Sequence, residues 1–142
     1  MIWGSTSQSK LDRLFRLQKR ACKLILDYNV EDIFEGLNEL KILTVNERIY
    51  LRKAKLMFTV ANSKTPTYID DLFKRRTANG DVPILRSYNS SSFIIPKPNR
   101  EIFKQSISYS GPILWDSIPD EIKCAKTISA FHNKCIKWIK NS

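Results

Sequence analysis

One histidine, three cysteines and four glycines in 142 residues leave little material for catalysis. His132 is the only candidate base for a nucleophilic triad, and no clustered serine stands in an evident pairing with it. No glycine-rich phosphate loop occurs. Cys22, Cys124 and Cys135 are odd in number and have no framework spacing, so disulfides are not expected and the setting reads as reducing and intracellular. Cys124, His132 and Cys135 come nearest to a zinc pattern, with His132 and Cys135 three apart on one helix face. A fourth ligand is lacking nearby, so Cys135 reads as core and His132 as a boundary residue. No apolar run approaches the roughly 20 residues that cross a bilayer, and "MIWGSTSQSK" does not follow a basic segment with an apolar one. The expectations are no secretion, no membrane partner, no metal, no cofactor and no small-molecule substrate.

Negative charge is also short. Lys and Arg number 24 against 14 Asp and Glu, a net charge of +10. That balance favours an anionic partner, with nucleic acid first and an acidic protein or membrane surface behind it. At 42% hydrophobic residues the chain can bury a core, and its length suits a single domain over residues 1–142.

Helical periodicity is legible in several places. From Ser9, "SKLDRLFRLQKRACKLIL" places Leu11, Leu14, Phe15, Cys22 and Ile25 on one face, which Leu17, Ala21 and Leu24 widen. At about 100° per residue, Arg13, Arg16, Lys19, Arg20 and Lys23 fall on the opposite arc, offset only by Asp12. In "NVEDIFEGLNEL", Asn29 is the candidate cap of a short second helix. Thr44 and Glu47 have capping-box spacing, so a third helix should run to about Ala61, with Arg48, Arg52 and Lys55 striping one side. Thr65 and Pro66 announce a fourth helix ending near Arg75. The C-terminal stretch should be helical with Ile128, Phe131, Cys135, Trp138 and Ile139 facing inward. The fold class expected is mainly α, a bundle of about five or six helices with a small β-hairpin or extended insertion near residues 82–96.

"SYSGPILWDSIPDEI" contains no catalytic group. Gly111 permits a tight bend, Pro112 suits a first helical turn, and "PILW" should form about one turn that carries Trp115 inward. Pro119 starts a second short helix after forcing Ile118 out of helical geometry. The expectation is a rigid structural corner built from Gly111, Pro112, Trp115, Ile118 and Pro119.

Seven segments stand in a fixed order: "WG" at Trp3 and Gly4, "LDRLFRLQKRACKLIL", "LNELKILTVNERIYLRKAKLMFTV", "TPTYIDDLF", "LRSY", "SISYSGPILWDSIPDEIK", and the stretch from Phe131 to Ile139. Together they resemble the region C-terminal to the polymerase core in reverse transcriptases of LINE-type, non-LTR retrotransposons. That family carries signatures such as "YGxxVWG", "P.Y..D.F", "TRS" and "GP.LWN.LP" in this order. Two departures are Leu85 in place of the threonine of "TRS" and Asp116 in place of the asparagine of "LWN".

The family's "Y-x-D-D" segment, which supplies metal-binding aspartates to the polymerase, is absent. Asp70 and Asp71 begin an expected helix and read as partners of its dipole. The resemblance therefore implies a region that does not itself polymerise DNA, present as a truncated or separately encoded remnant. It would lie near the exiting template and product duplex. Its expected partner is RNA or an RNA/DNA duplex, held by Arg13, Arg16, Lys19, Arg20, Lys23, Arg48, Arg52 and Lys55, in an intracellular setting with the nucleus as a candidate compartment. The alternative is a protein-interaction module docking on an acidic partner or on the polymerase core of a parent element.

Overall fold

The computed structural model describes residues 7–27, 31–75 and 93–140. Its described residues are mainly helical, in the order α1 (Gln8–Ile25), α2 (Ile33–Glu39), α3 (Val45–Ala61), α4 (Thr67–Asp70), a 3-10 turn (Glu101–Gln105), α5 (Ile107–Ser117), α6 (Asp120–Lys123) and α7 (Ile128–Lys140). The only β pairing among them is an isolated antiparallel bridge between Arg75 and Phe93. Most of the insertion expected at 82–96 lies outside the described residues, as do Trp3, Gly4, Asn29 and Leu85. The chain divides into two compact units, Met1–Tyr50 and Leu51–Ser142.

In the first unit α1 packs on α2 around Cys22, Ile33 and Leu37, with Phe15, Leu26, Leu40 and Ile42 partly buried against them. Asp32, and not the expected Asn29, caps α2, its carboxylate accepting from the Phe34 N–H at 2.9 Å. Lys41 ends α2 in left-handed geometry (φ 54). That conformation lets the Ile42 N–H reach Leu37 O at 2.8 Å and the Lys41 N–H reach Asn38 O at 3.0 Å, satisfying carbonyls that the helix end would leave open. The Thr44–Glu47 box forms. Glu47 N–H donates to Thr44 Oγ1 at 3.3 Å, and Thr44 N–H donates to Glu47 Oε2 at 2.7 Å. Gln18 ties α1 to the start of α3, donating to Leu43 O at 2.8 Å and accepting from the Val45 N–H at 3.0 Å.

The apolar face expected on α1 is only partly covered. Leu11 and Cys22 are buried and Phe15 half-buried, but Leu14, Leu17, Leu24 and Ile25 are 41%, 59%, 60% and 60% exposed, and Ala21 is exposed too. α2 packs on the side of α1 that carries Phe15 and Cys22, and at about 100° per residue Leu17, Ala21 and Leu24 lie well around the helix from that side, beyond its cover.

The second unit is built on the buried side of α3, where Leu51, Ala54, Met57, Phe58 and Val60 are covered. Phe58 stacks on Phe131 of α7 with ring centroids 4.4 Å apart, and Trp115 of α5 lies 6.0 Å from the same ring. The helix expected from Thr65 to Arg75 is a single turn. Pro66, not Thr65, stands at its N-cap, while Thr65 Oγ1 donates to Asp70 Oδ1 at 3.1 Å. Beyond Asp70 two claims outweigh continued helix. Phe73 is buried edge-to-face on Phe93, and the Arg75 guanidinium reaches back to the end of α3, donating to Ser63 Oγ at 3.0 Å and to Val60 O.

The expected bend at Gly111 is also corrected. Gly111 and Pro112 are interior residues of α5, an 11-residue helix. A Cβ on Gly111 would stand 2.7 Å from Met57 Sδ and 3.3 Å from a Phe73 ring carbon, so glycine here permits α5 to press close to α3 and Phe73. Pro112 has no N–H to offer Ser108 O, a cost in any helix interior. The burial of Pro112, Leu114 and Trp115 along the same helix offsets it. Ile118 is extended (φ -77, ψ 131) ahead of Pro119, as a residue before proline should be, and Pro119 caps α6.

Candidate nucleic-acid interface

Arg13, Arg16, Arg20 and Lys23 recur on α1 at intervals of three and four, which places them along one side of the helix. All four are exposed. None has a carboxylate within ion-pair distance among the described residues, whose ion pairs, such as Arg75–Asp70, Lys104–Glu101 and Lys123–Asp120, lie elsewhere. Asp12, the acid on this side, is bonded by the Gln8 amide at 3.0 Å. Lys19 is set apart from its neighbours: it is half-buried, with its ammonium 4.7 Å from the centre of the Phe15 ring. The cation–π attraction holds it against the α1–α2 core.

On α3, Arg48 and Arg52 are exposed and Lys55 is half-buried. Arg48 belongs to the first unit, Arg52 and Lys55 to the second. In the second unit Lys55 acts electrostatically on His132, whose pKa is lowered from the ordinary imidazole value by burial first and by the Lys55 charge second. His132 Nδ1 is buried without a hydrogen-bond partner. A base depressed in the folded state gives stability that is complete above the unfolded value of about 6.5 and is lost as pH falls through the lowered folded value. We therefore expect the melting temperature to drop between pH 7.5 and 5.5. His132→Gln, which cannot take a proton, should show a flatter profile. Parallel profiles for the two proteins would refute this reading.

Lys53 is a buried-side cation that the periodicity did not single out. Its ammonium donates to Ser110 Oγ at 3.1 Å, Ser110 in turn donates to Ser106 O at 2.8 Å, and burial lowers the Lys53 pKa. Lys97 and Arg100 are two further cations outside any helical period. Both are exposed and line an open cavity of about 490 Å³ with Asn99, Ile102, Phe103 and Ser106. The basic residues of "KPNR" were the available signal, obscured by a proline-rich stretch that carries no periodicity.

Trp115 and Ile118 are 2% and 1% exposed, and Gly111 and Pro112 are buried, while Pro119 is exposed. The Lys123 ammonium sits 5.8 Å from the centre of the Trp115 ring. Asp70 is held by Thr65 and Arg75, so it acts as a pin between segments. Among the described residues no group of three His, Cys, Asp or Glu side chains could hold a metal ion. Cys124 is exposed whereas Cys135 is buried, and burial pushes the Cys135 thiol up to about 11. Iodoacetamide at pH 8 should alkylate Cys124 rapidly in the native protein and reach Cys22 and Cys135 only after denaturation, as peptide mass mapping would show. Equal native rates at Cys124 and Cys135 would mean that the core around α7 opens readily.

No helix among the described residues is long and apolar enough to cross a membrane. The chain matches no protein-family model, no curated protein and no solved structure.

Proposed function

We propose that this chain is a non-catalytic nucleic-acid-binding region, of the kind found C-terminal to the polymerase in LINE-type reverse transcriptases, and that it holds an RNA template or RNA/DNA duplex through phosphate contacts. The observation that carries the proposal is the unpaired ridge of Arg13, Arg16, Arg20 and Lys23 on α1 of a chain with net charge +10. Cations without protein partners can replace the counterions of a phosphate backbone, and such contacts hold nucleic acid without reading its bases. The absence of the "Y-x-D-D" segment from the sequence argues against polymerisation by these residues. The ordered segments that resemble the family supply the particular nucleic acid and the parent enzyme.

The test is binding of the full chain to labelled RNA, RNA/DNA and DNA duplexes over a series of salt concentrations. Affinity should fall with salt, by about 0.9 decades per decade of salt for each phosphate contact on a duplex. No binding at low salt would end the proposal. The RNA and duplex arms also decide the preferred substrate.

A further inference from the structure

Leu14, Leu17, Ala21 and Leu24 follow one another at intervals of three, four and three residues, and all four are exposed. That spacing draws a seam nearly parallel to the axis of α1, about 15 Å long at 1.5 Å per residue. Phosphate contacts make no use of it, because leucine and alanine side chains offer a nucleic-acid backbone neither charge nor hydrogen bonds. The seam runs directly beside the basic ridge. Leu17 and Leu24 stand four residues after Arg13 and Arg20, so each leucine lies about 40° around the helix from an arginine.

Written as heptads, the seam residues occupy a and d, and Arg13 and Arg20 occupy the g positions at its edge. A helix laid in the seam would place its own edge residues against those two guanidiniums. A second copy of this chain answers them poorly. In a parallel pair the facing e positions are Gln18 and Ile25, and Gln18 is already bonded to Leu43 and Val45. In an antiparallel pair Asp27 could answer Arg13, but Arg20 would meet its own equivalent. A lipid surface requires no three-and-four register, and the seam contains no aromatic side chain to anchor at a headgroup boundary.

We propose that the Leu14–Leu24 seam seats one helix of an acidic protein partner, with aliphatic residues every three and four positions and carboxylates along the edge that meets Arg13 and Arg20. This goes beyond nucleic-acid binding and sets up a competition, since the partner's carboxylates and nucleic-acid phosphates draw on the same ridge. An acidic partner helix would displace nucleic acid from α1, and the ridge would then respond to two ligands that exclude each other.

The probe is a fluorescent three-heptad peptide with Leu at a and d and Glu at e and g, compared with its Lys counterpart in anisotropy titrations against the full chain. The acidic peptide should bind at least ~10-fold more tightly than the basic one, by the energy of a few close charge pairs. The Leu17→Gln, Leu24→Gln double variant should abolish peptide binding. Both sites are exposed and outside the core, so its circular dichroism melt should match that of the parent. Its nucleic-acid affinity should be unchanged. Peptide binding that survives the double variant overturns the inference. So does a dimer in sedimentation, or capture on phosphatidylserine vesicles, that the same variant removes while the acidic peptide never binds. A chain that binds the peptide but no nucleic acid would instead sink the proposed function and leave the seam standing.

Discussion

Trp115→Ala should destabilise the second unit by about 3–5 kcal/mol, the range for truncating a large buried aromatic. The ring is 2% exposed, packs 6.0 Å from Phe131 and lies under the Lys123 ammonium, so its loss opens a cavity at the junction of α5, α6 and α7. The Phe131 ring, stacked at 4.4 Å on Phe58, would lose a neighbour as well. Against a total of roughly 5–15 kcal/mol for a typical domain this is a large fraction, and at about 4–8 °C per kcal/mol for a unit of this size it lowers the melting temperature by more than about 10 °C. Trp115→Phe should cost much less. It keeps an aromatic in the site and removes an indole N–H that is buried without an acceptor. Thermal melts of the three proteins, with nucleic-acid affinity measured on each below its melting point, separate scaffold from contact. A Trp115→Ala protein that melts normally but no longer binds would show that the ring stacks on a base and would overturn its assignment to the core.

Replacing Arg13, Arg16, Arg20 and Lys23 together with Gln should leave the melting temperature nearly unchanged, because all four are exposed, unpaired and helical, and Gln is a comparable helix former. Nucleic-acid affinity at about 0.1 M salt should fall on the order of 10²–10³-fold, and the slope of log affinity against log salt should flatten by three to four units, close to one per lost phosphate contact. Lys19→Gln should contribute less, since its ammonium is already engaged with the Phe15 ring. Unchanged affinity in the fourfold variant would make the ridge a solvated face and leave Arg48 and Arg52, or Lys97 and Arg100, as exposed cations for phosphate contact.

What could be read from the residue order alone was the set of short-range decisions. The Thr44–Glu47 box, the end of α3 at Ala61, the extended Ile118 before Pro119 and the three-and-four spacing of the α1 cations are all settled within a turn or two of chain. Caps, proline geometry and helical period act over those distances, so neighbouring residues suffice to specify them. The mainly α class followed from them.

Three other outcomes depended on residues far away in the chain. α4 stops after one turn because Phe73 finds Phe93 and Arg75 finds the end of α3. Gly111 and Pro112 lie inside a helix, where Met57 and Phe73 leave no room for a Cβ and burial offsets a missing hydrogen bond. The leucines of α1 stay exposed because α2 packs on the Phe15 and Cys22 side of the helix, and the ridge beside them is free because no carboxylate comes within reach among the described residues. An apolar or charged stripe is written in one helix, but whether it is covered or paired depends on the area and charge that other elements bring to it. That supply is decided only when the chain has folded.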